Sequence, residues 1–309
     1  MANTHHEVDV AIIGGGPAGL CAGIWLGRFL HDVAVIDSGD PRNWKAQEIH
    51  GYLGASKVRP ADMRHRGRQA CRSYNIELLD DRVEQATHHG REHFELTTTG
   101  GRNVEARRVL ICTGIRDRWP DIPGLERCYG TSIHTCPNCD GFESRDQRCA
   151  VIGSTAKAAD VALAMLTWTD QVFICTHGAS PDFQGAQPTL DEAGVEVLTE
   201  PVESLDERDG QLKAIQFSRG HSERCGHIFL AMGQHARDDV GAHLGCRRDE
   251  RGFIIIDDHH HTSVYNVFAA GDVTPGAQMA VRAAAGGAEA ALSVHHSLIP
   301  EHRRVHRRC

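Results

Sequence analysis

The chain has 309 residues, 40% hydrophobic and 24% charged, a composition that suits about two globular domains with a sizeable core. No apolar run approaches the ~20 residues that span a bilayer, and a net charge of -8 argues against general nucleic-acid binding despite a locally basic stretch at residues 302–309. The polar, histidine-rich first residues are unlike a signal peptide, so the expected compartment is the cytoplasm.

The first predicted strand, Val8-Asp9-Val10-Ala11-Ile12-Ile13, runs into Gly14-Gly15-Gly16-Pro17-Ala18-Gly19, and a helical pattern follows over residues 20–30. A second apolar strand, residues 33–36, ends in Asp37. Strand, glycines, helix, strand and acid in this register form a dinucleotide fingerprint. Gly14 allows a tight turn, Gly16 lets backbone approach a pyrophosphate at the helix N-terminus, Gly19 allows close helix–strand packing, and Asp37 is placed for a ribose hydroxyl. Beyond a turn-rich loop, Ser38-Gly39-Asp40-Pro41-Arg42-Asn43, and the run His50-Gly51-Tyr52-Leu53-Gly54, a helix is expected over residues 60–74, with Pro60 suited to its first turn. Strands at 76–79 and 94–98 flank Val83, and another at 104–112 ends in Thr113-Gly114. On spacing alone, Arg42 and His50 fit a surface role as well as a binding one.

The densest chemistry lies in Thr135-Cys136-Pro137-Asn138-Cys139-Asp140-Gly141. Two thiols on one turn close a small disulfide and reopen it, and such pairs often carry one thiol of depressed pKa. Structural zinc needs two more ligands at similar spacing, and no second Cys-x-x-Cys or Cys-x-x-His occurs, so no metal site is expected. The eleven cysteines are odd in number and mostly sit in apolar runs, such as those of Cys112 and Cys175, where reduced core thiols are expected. His134 either raises the thiolate population, if protonated, or caps the turn. His259-His260-His261 reads as a solvated loop rather than a metal cluster, and Trp44, Trp119 and Trp168 read as too dispersed to stack.

Gly14 to Gly19, Cys112-Thr113-Gly114, the Cys136 to Cys139 pair with Asp140-Gly141, and Val267-Phe268-Ala269-Ala270-Gly271-Asp272-Val273 together resemble the low-molecular-weight thioredoxin reductase family, in order and spacing over nearly the whole chain. Asp40-Pro41-Arg42-Asn43 and the reading Cys-Pro-x-Cys further resemble a subset. That subset holds the dithiol oxidases of gliotoxin- and holomycin-type natural products and the pyridine-nucleotide-independent thioredoxin reductases.

The resemblance implies an α/β fold of two Rossmann-like three-layer domains and a homodimer. An FAD domain made of residues 1–117 and 245–309 would receive an inserted redox domain, 118–244. The proline-punctuated crossing at 118–124 and the polar, glycine-bearing stretch at 241–249 support those cuts. Implied FAD contacts are Gly14, Gly16, Pro17, Ala18, Gly19 and Asp37 at one end of the chain. Arg42, Asn43, His50, Val83, Thr113 and Gly114 follow. Gly271 and Asp272 would meet the ribityl chain, and a helix from about Gln278, through Met279 and Ala280, would aim its N-terminus at the flavin ring. Cys139 would face the flavin, Cys136 would exchange with substrate, and Asp140 would serve as acid/base.

One departure is informative. Where NADPH-dependent relatives carry a second GxGxxA, this chain reads Gly153-Ser154-Thr155-Ala156-Lys157-Ala158, so Thr155 replaces the middle glycine. Where they carry arginines for the 2′-phosphate, it reads Thr176-His177-Gly178-Ala179-Ser180-Pro181-Asp182. NADPH is therefore not the expected reductant. Electrons enter either from a dithiol substrate, leaving through FAD to oxygen, or at the flavin from ferredoxin or a second flavoprotein, leaving to a thioredoxin-like disulfide. The reading leans to dithiol oxidation, which needs no external reductase site. A flavin redox switch without turnover and an NADPH-dependent reductase with an unusual pocket are the other readings.

Overall fold

The computed structural model of the chain describes residues 5–55, 57–237 and 239–303, so the basic stretch read at 302–309 lies outside the described residues from position 304 onward. β1 (His5–Ile13) leads through the glycine turn into α1 (Pro17–Arg28), β2 (Val33–Asp37), α2 (Pro60–Ser73), β3 (Glu77–Asp80), β4 (Val83–His88), β5 (Phe94–Thr98) and β6 (Asn103–Ile111). Then come β7 (Ile115–Asp117), α3 (Leu125–Cys128), β8 (Ile133–His134), α4 (Pro137–Asp140), β9 (Cys149–Ile152), α5 (Ala156–Met165) and β10 (Val172–Cys175). They are followed by α6 (Gln187–Glu192), β11 (Glu196–Leu198), β12 (Val202–Arg208), β13 (Gln211–Phe217), β14 (Ser222–Arg224) and β15 (His227–Leu230). The described chain closes with β16 (Gln234–Ala236), α7 (Asp239–Leu244), β17 (Val267–Ala269), α8 (Ala280–Leu298) and a final 3₁₀ turn, Glu301–Arg303.

Two compact units result. One comprises Met1–Arg42, Ala61–Arg116 and His235–Cys309, the other Asn43–Pro60 and Asp117–Gln234. In the first, β3-β2-β1-β6 run parallel, β17 pairs with the end of β6, and β5 and β4 continue the sheet antiparallel. Alternation along β1 sends Val10 and Ile12 to one face, under α1 and α8, and Ala11 and Ile13 to the other, where Val240 and Leu244 of α7 also bury. Because α7 contributes to this core, the chain returns to the first unit at His235, ahead of the polar stretch 241–249 where composition places the cut.

In the second unit β11-β10-β9-β15-β8 form a parallel sheet. α5 packs its alanine-rich face on one side, and the antiparallel ribbon β12-β13-β14 covers the other through Val202, Leu205, Leu212, Ile215 and Phe217. Strands buried on both faces read as continuous apolar runs, which is why Cys149–Ile152 and Val172–Cys175 are legible in the sequence. Two details differ from expectation. α1 begins at Pro17 rather than residue 20, its proline filling a first-turn position that needs no N–H. α8 begins at Ala280, because Met279 is extended (φ −125°, ψ 141°) as its N-cap.

Candidate active site

In the first unit three loops meet at the carboxyl ends of neighbouring parallel strands, the position where open α/β sheets bind ligands. The loop after β1 carries the glycine turn, that after β6 carries Thr113 and Gly114, and that after β17 carries Gly271 and Asp272. Gly14 adopts φ +110°, a methyl on Gly19 would lie 1.9 Å from the Gly14 carbonyl oxygen, and a methyl on Gly16 would meet nothing within 4 Å. Gly16 thus leaves the N-terminus of α1 open, with no side chain capping it. Thr113 places a hydroxyl that is buried and has no hydrogen-bond partner beside this turn. Open N–H groups and a spare buried hydroxyl fit a dinucleotide's phosphates.

Chain ends far apart in sequence converge here. A methyl on Gly271 would sit 2.8 Å from Ala18 Cβ, and Arg42 Nη1 lies 3.8 Å from Asp272 Oδ2. Asp37 is buried, and its carboxylate receives Gly39 N–H at 3.2 Å together with the guanidinium groups of Arg64 and Arg68. Those two arginines were missed in the sequence reading. Their signal is Arg64, Arg68 and Arg72 at i, i+4 spacing on one face of α2, which lines a cavity with Asp37, Ser38, Asp80, Asp81 and Arg82. Val83 opens β4 and is buried in the sheet core. Pro17 and Ala280 are the first residues of α1 and α8, with Gln278 and Met279 just ahead of α8. Asn43 and His50 belong to the second unit.

Asp40 has a different part. Arg116 and Arg237, the residues on either side of the chain crossings, both bind its carboxylate, at 2.6 and 2.8 Å, and Arg237 also donates to its carbonyl at 2.7 Å. The Asp-Pro-Arg-Asn stretch therefore begins as a clamp on the two strands that leave and re-enter the first unit.

In the second unit Cys136 and Cys139 form a disulfide with Cα atoms 5.3 Å apart. Pro137 starts the single turn α4, and Cys139 and Asp140 N–H groups return to the Cys136 carbonyl at 3.1 and 3.2 Å. Gly141 is required by packing, since a methyl there would stand 2.6 Å from the Trp168 ring. His50 Nδ1 donates to the Cys139 carbonyl at 2.9 Å and lies 3.7 Å from Asp140 Oδ1. His134 Nδ1 approaches the same Asp140 oxygen at 3.6 Å. Burial, with His227 and His50 nearby, pushes the His134 pKa down to about 3, so this ring is neutral and does not raise the thiolate population as a cation. The other thiols behave as core residues, and burial pushes Cys175 up to about 12 and Cys149 to about 11.

The loop after β10 folds over the β9–α5 turn. Asp182 N–H donates to the Ser154 carbonyl at 2.6 Å, Asp182 and Thr155 form a β-bridge, and Phe183 anchors the loop in the core. His177 Nδ1 accepts the Val202 N–H at 3.1 Å, which commits the only imidazole of that loop. Trp44 and Trp119 both meet the Tyr129 ring, Trp44 tilted at 6.3 Å and Trp119 edge-on at 4.3 Å between ring centres, because residues 43–60 belong to the second unit. One further reading is corrected at a single position. In the histidine run, His259 and His261 are exposed but His260 is buried, with Nδ1 on the Ala269 carbonyl and Nε2 3.2 Å from Glu289. Among the described residues no group of His, Cys, Asp and Glu suits a metal, and no helix is long and apolar enough to cross a membrane.

The chain matches the family described as pyridine nucleotide-disulphide oxidoreductase over residues 8–288. It is 32% identical to a probable thioredoxin reductase of Arthroderma benhamiae over 179 residues, a match that takes in 56% of this chain and 44% of that protein. With the thioredoxin reductase of Helicobacter pylori it shares 29% identity over 308 residues, covering 93% of this chain and 97% of that one. The crystal structure of HlmI superimposes with a TM-score of 0.91 at 30% identity, covering 96% of this chain and 95% of that one.

Proposed function

The chain belongs to the pyridine nucleotide-disulphide oxidoreductase family, as a thioredoxin reductase-like disulfide oxidoreductase of an FAD-binding group, and from that premise we propose that it oxidises a dithiol substrate through Cys136–Cys139 and FAD without using NADPH. The observation that carries this reading is the strap at Asp182, which crosses the turn where a nicotinamide nucleotide's pyrophosphate would enter. Thr155 in place of the middle glycine and the absence of arginine from the loop support the same reading, in which the unit that carries the redox pair no longer takes a nicotinamide nucleotide.

In this reading Gly14, Gly16, Gly19, Asp37, Thr113, Gly114, Gly271 and Asp272 hold FAD in the first unit. A substrate thiolate attacks Cys136, the Cys136–Cys139 bond breaks, and a mixed disulfide forms. The second substrate thiolate then attacks its own partner sulfur, which closes the product disulfide and leaves Cys136 and Cys139 reduced by two electrons. Asp140 takes the proton released as the pair opens. FAD, when bound, supplies the two-electron acceptor that re-forms Cys136–Cys139, with oxygen or another external acceptor draining it.

A second direction is favoured by one residue, because an acid follows Cys139 as it does in the reductases. Electrons would then come from ferredoxin or a second flavoprotein and leave through Cys136 to a thioredoxin-like disulfide. In this reading the enzyme works as a homodimer, which its resemblance to the thioredoxin reductase family supports, and in the cytoplasm, which the polar composition of the chain supports. Steady-state oxygen uptake with dithiothreitol tests the oxidase reading, with continuous consumption expected and its loss in Cys139→Ser. Uptake that stops after one equivalent would replace the enzyme with a redox switch.

A further inference from the structure

The disulfide turn is bordered by imidazoles to which the exchange chemistry assigns no task. β8 and β15 are parallel neighbours, with Ile133 opposite Ile228 and His134 opposite Phe229, so His227 at the start of β15 comes alongside His134. His134 Nε2 lies 3.1 Å from His227 Nδ1, and the rings stack at 5.3 Å between centres. The other nitrogen of His134 faces Asp140 Oδ1 at 3.6 Å. Both rings are buried, 8% and 9% exposed, while Asp140 keeps 24% of its side chain exposed. Among the described residues, charged groups beside the cluster include Glu143 and Glu48, 3.5 and 3.6 Å from His50 Nε2, and the Glu143 charge also reaches His227.

Two neutral imidazoles in series behind a carboxylate move a proton without a standing charge, because each ring holds one N–H and one lone pair. A proton passed from Asp140 to His134 Nδ1, once the two close from 3.6 Å to bonding distance, displaces the Nε2 proton to His227 Nδ1, and His227 releases its own from Nε2 to solvent at its exposed edge. Burial keeps His134 and His227 neutral, the state this transfer needs. His50 cannot join the series, since its Nδ1–H is committed to the Cys139 carbonyl.

We propose that His134 and His227 form the proton path that serves Asp140, and that His50 is a positioning residue for the Cys139 end of the turn. The proposal rests on the reading of Asp140 as acid/base. When a substrate dithiol closes its S–S bond and Cys136–Cys139 opens, two electrons pass to the pair and two S–H protons are freed. One proton stays on the opened pair, and the other leaves through Asp140, His134 and His227. A substrate seated on the turn covers the solvent side of Asp140, so an inward exit is needed at that step.

The test follows opening of the pair directly. Holoprotein is mixed anaerobically with dithiothreitol, quenched in acid at timed intervals, and its newly alkylatable thiols are counted by mass spectrometry. His227→Asn keeps a group able to bond His134 but cannot pass a proton on. It is expected to slow opening about tenfold, and His134→Gln likewise, with both rescued in proportion to added imidazole while the unmodified protein does not respond. Unslowed opening, or slowing that imidazole does not relieve, overturns the path. Asp140→Asn separates the two levels: if it leaves opening unchanged, the acid/base reading itself fails, and if it alone slows opening, only the path fails. His227→Asn keeps the test decisive should His134→Gln not fold.

Discussion

Asp182 donates its backbone N–H to the Ser154 carbonyl at 2.6 Å, and this bond ties the loop after β10 down across the start of α5. On the proposed reading, Thr155 is one of two obstacles to a nucleotide at that turn. Thr155→Gly alone is expected to leave NADPH binding weaker than about 1 mM, or about 4 kcal/mol, by titration calorimetry. Tight binding after that one change would make the side chain the sole barrier.

His134 makes stability depend on pH. Its pKa in the folded chain, about 3, lies below its ordinary 6.5, so the unfolded chain takes up a proton that the fold refuses. Its contribution is complete above about pH 6.5 and is lost progressively as pH falls toward 3. Between pH 7 and pH 5 this ring should remove about 2 kcal/mol from stability. Urea unfolding at the two pH values checks it, with His134→Gln expected to lose less than the unmodified chain over the same interval.

Gly141 has helical dihedrals, φ −64° and ψ −34°, that any residue can adopt, so the space beside Trp168 and the Pro137 carbonyl demands glycine. Gly141→Ala must displace both the indole, 2.6 Å from the added methyl, and the Pro137 carbonyl, 2.7 Å from it. A loss of about 1–3 kcal/mol is expected, read as a lower melting temperature, and Trp168→Leu in the same chain should recover part of it.

The Asp40 clamp predicts a separate effect. Asp40→Asn removes the carboxylate shared by Arg116 and Arg237 and leaves the less exposed Arg237 without its charged partner. Because Asp40 is 42% exposed, solvent screening limits the cost to about 1–2 kcal/mol. Chemical denaturation measures it, and an unchanged midpoint would remove the clamp from the account.

The nucleotide fingerprint of the first unit and the Cys136–Cys139 pair were legible because each is local. Glycines at fixed offsets set a turn, and two thiols three residues apart share one. Apolar runs such as Val33–Asp37 and Val172–Cys175 were legible because both faces of a parallel strand are buried. What the sequence hid is pairing across distance. Nothing near His134 points to His227, which arrives through the register of β8 and β15. Similarly, Asp40 meets Arg237 only because two crossings close on one acid, and Trp44 meets Trp119 only through Tyr129. His50, read as a cofactor contact by family likeness, bonds the carbonyl of Cys139.

The most direct measurement is anaerobic reduction of the bound flavin by three candidates in parallel: a dithiol such as dithiothreitol, NADPH, and reduced ferredoxin. Fastest bleaching by the dithiol, abolished in Cys139→Ser, is the expected result. Prompt bleaching by one equivalent of NADPH would contradict the central claim that this chain works without a nicotinamide nucleotide.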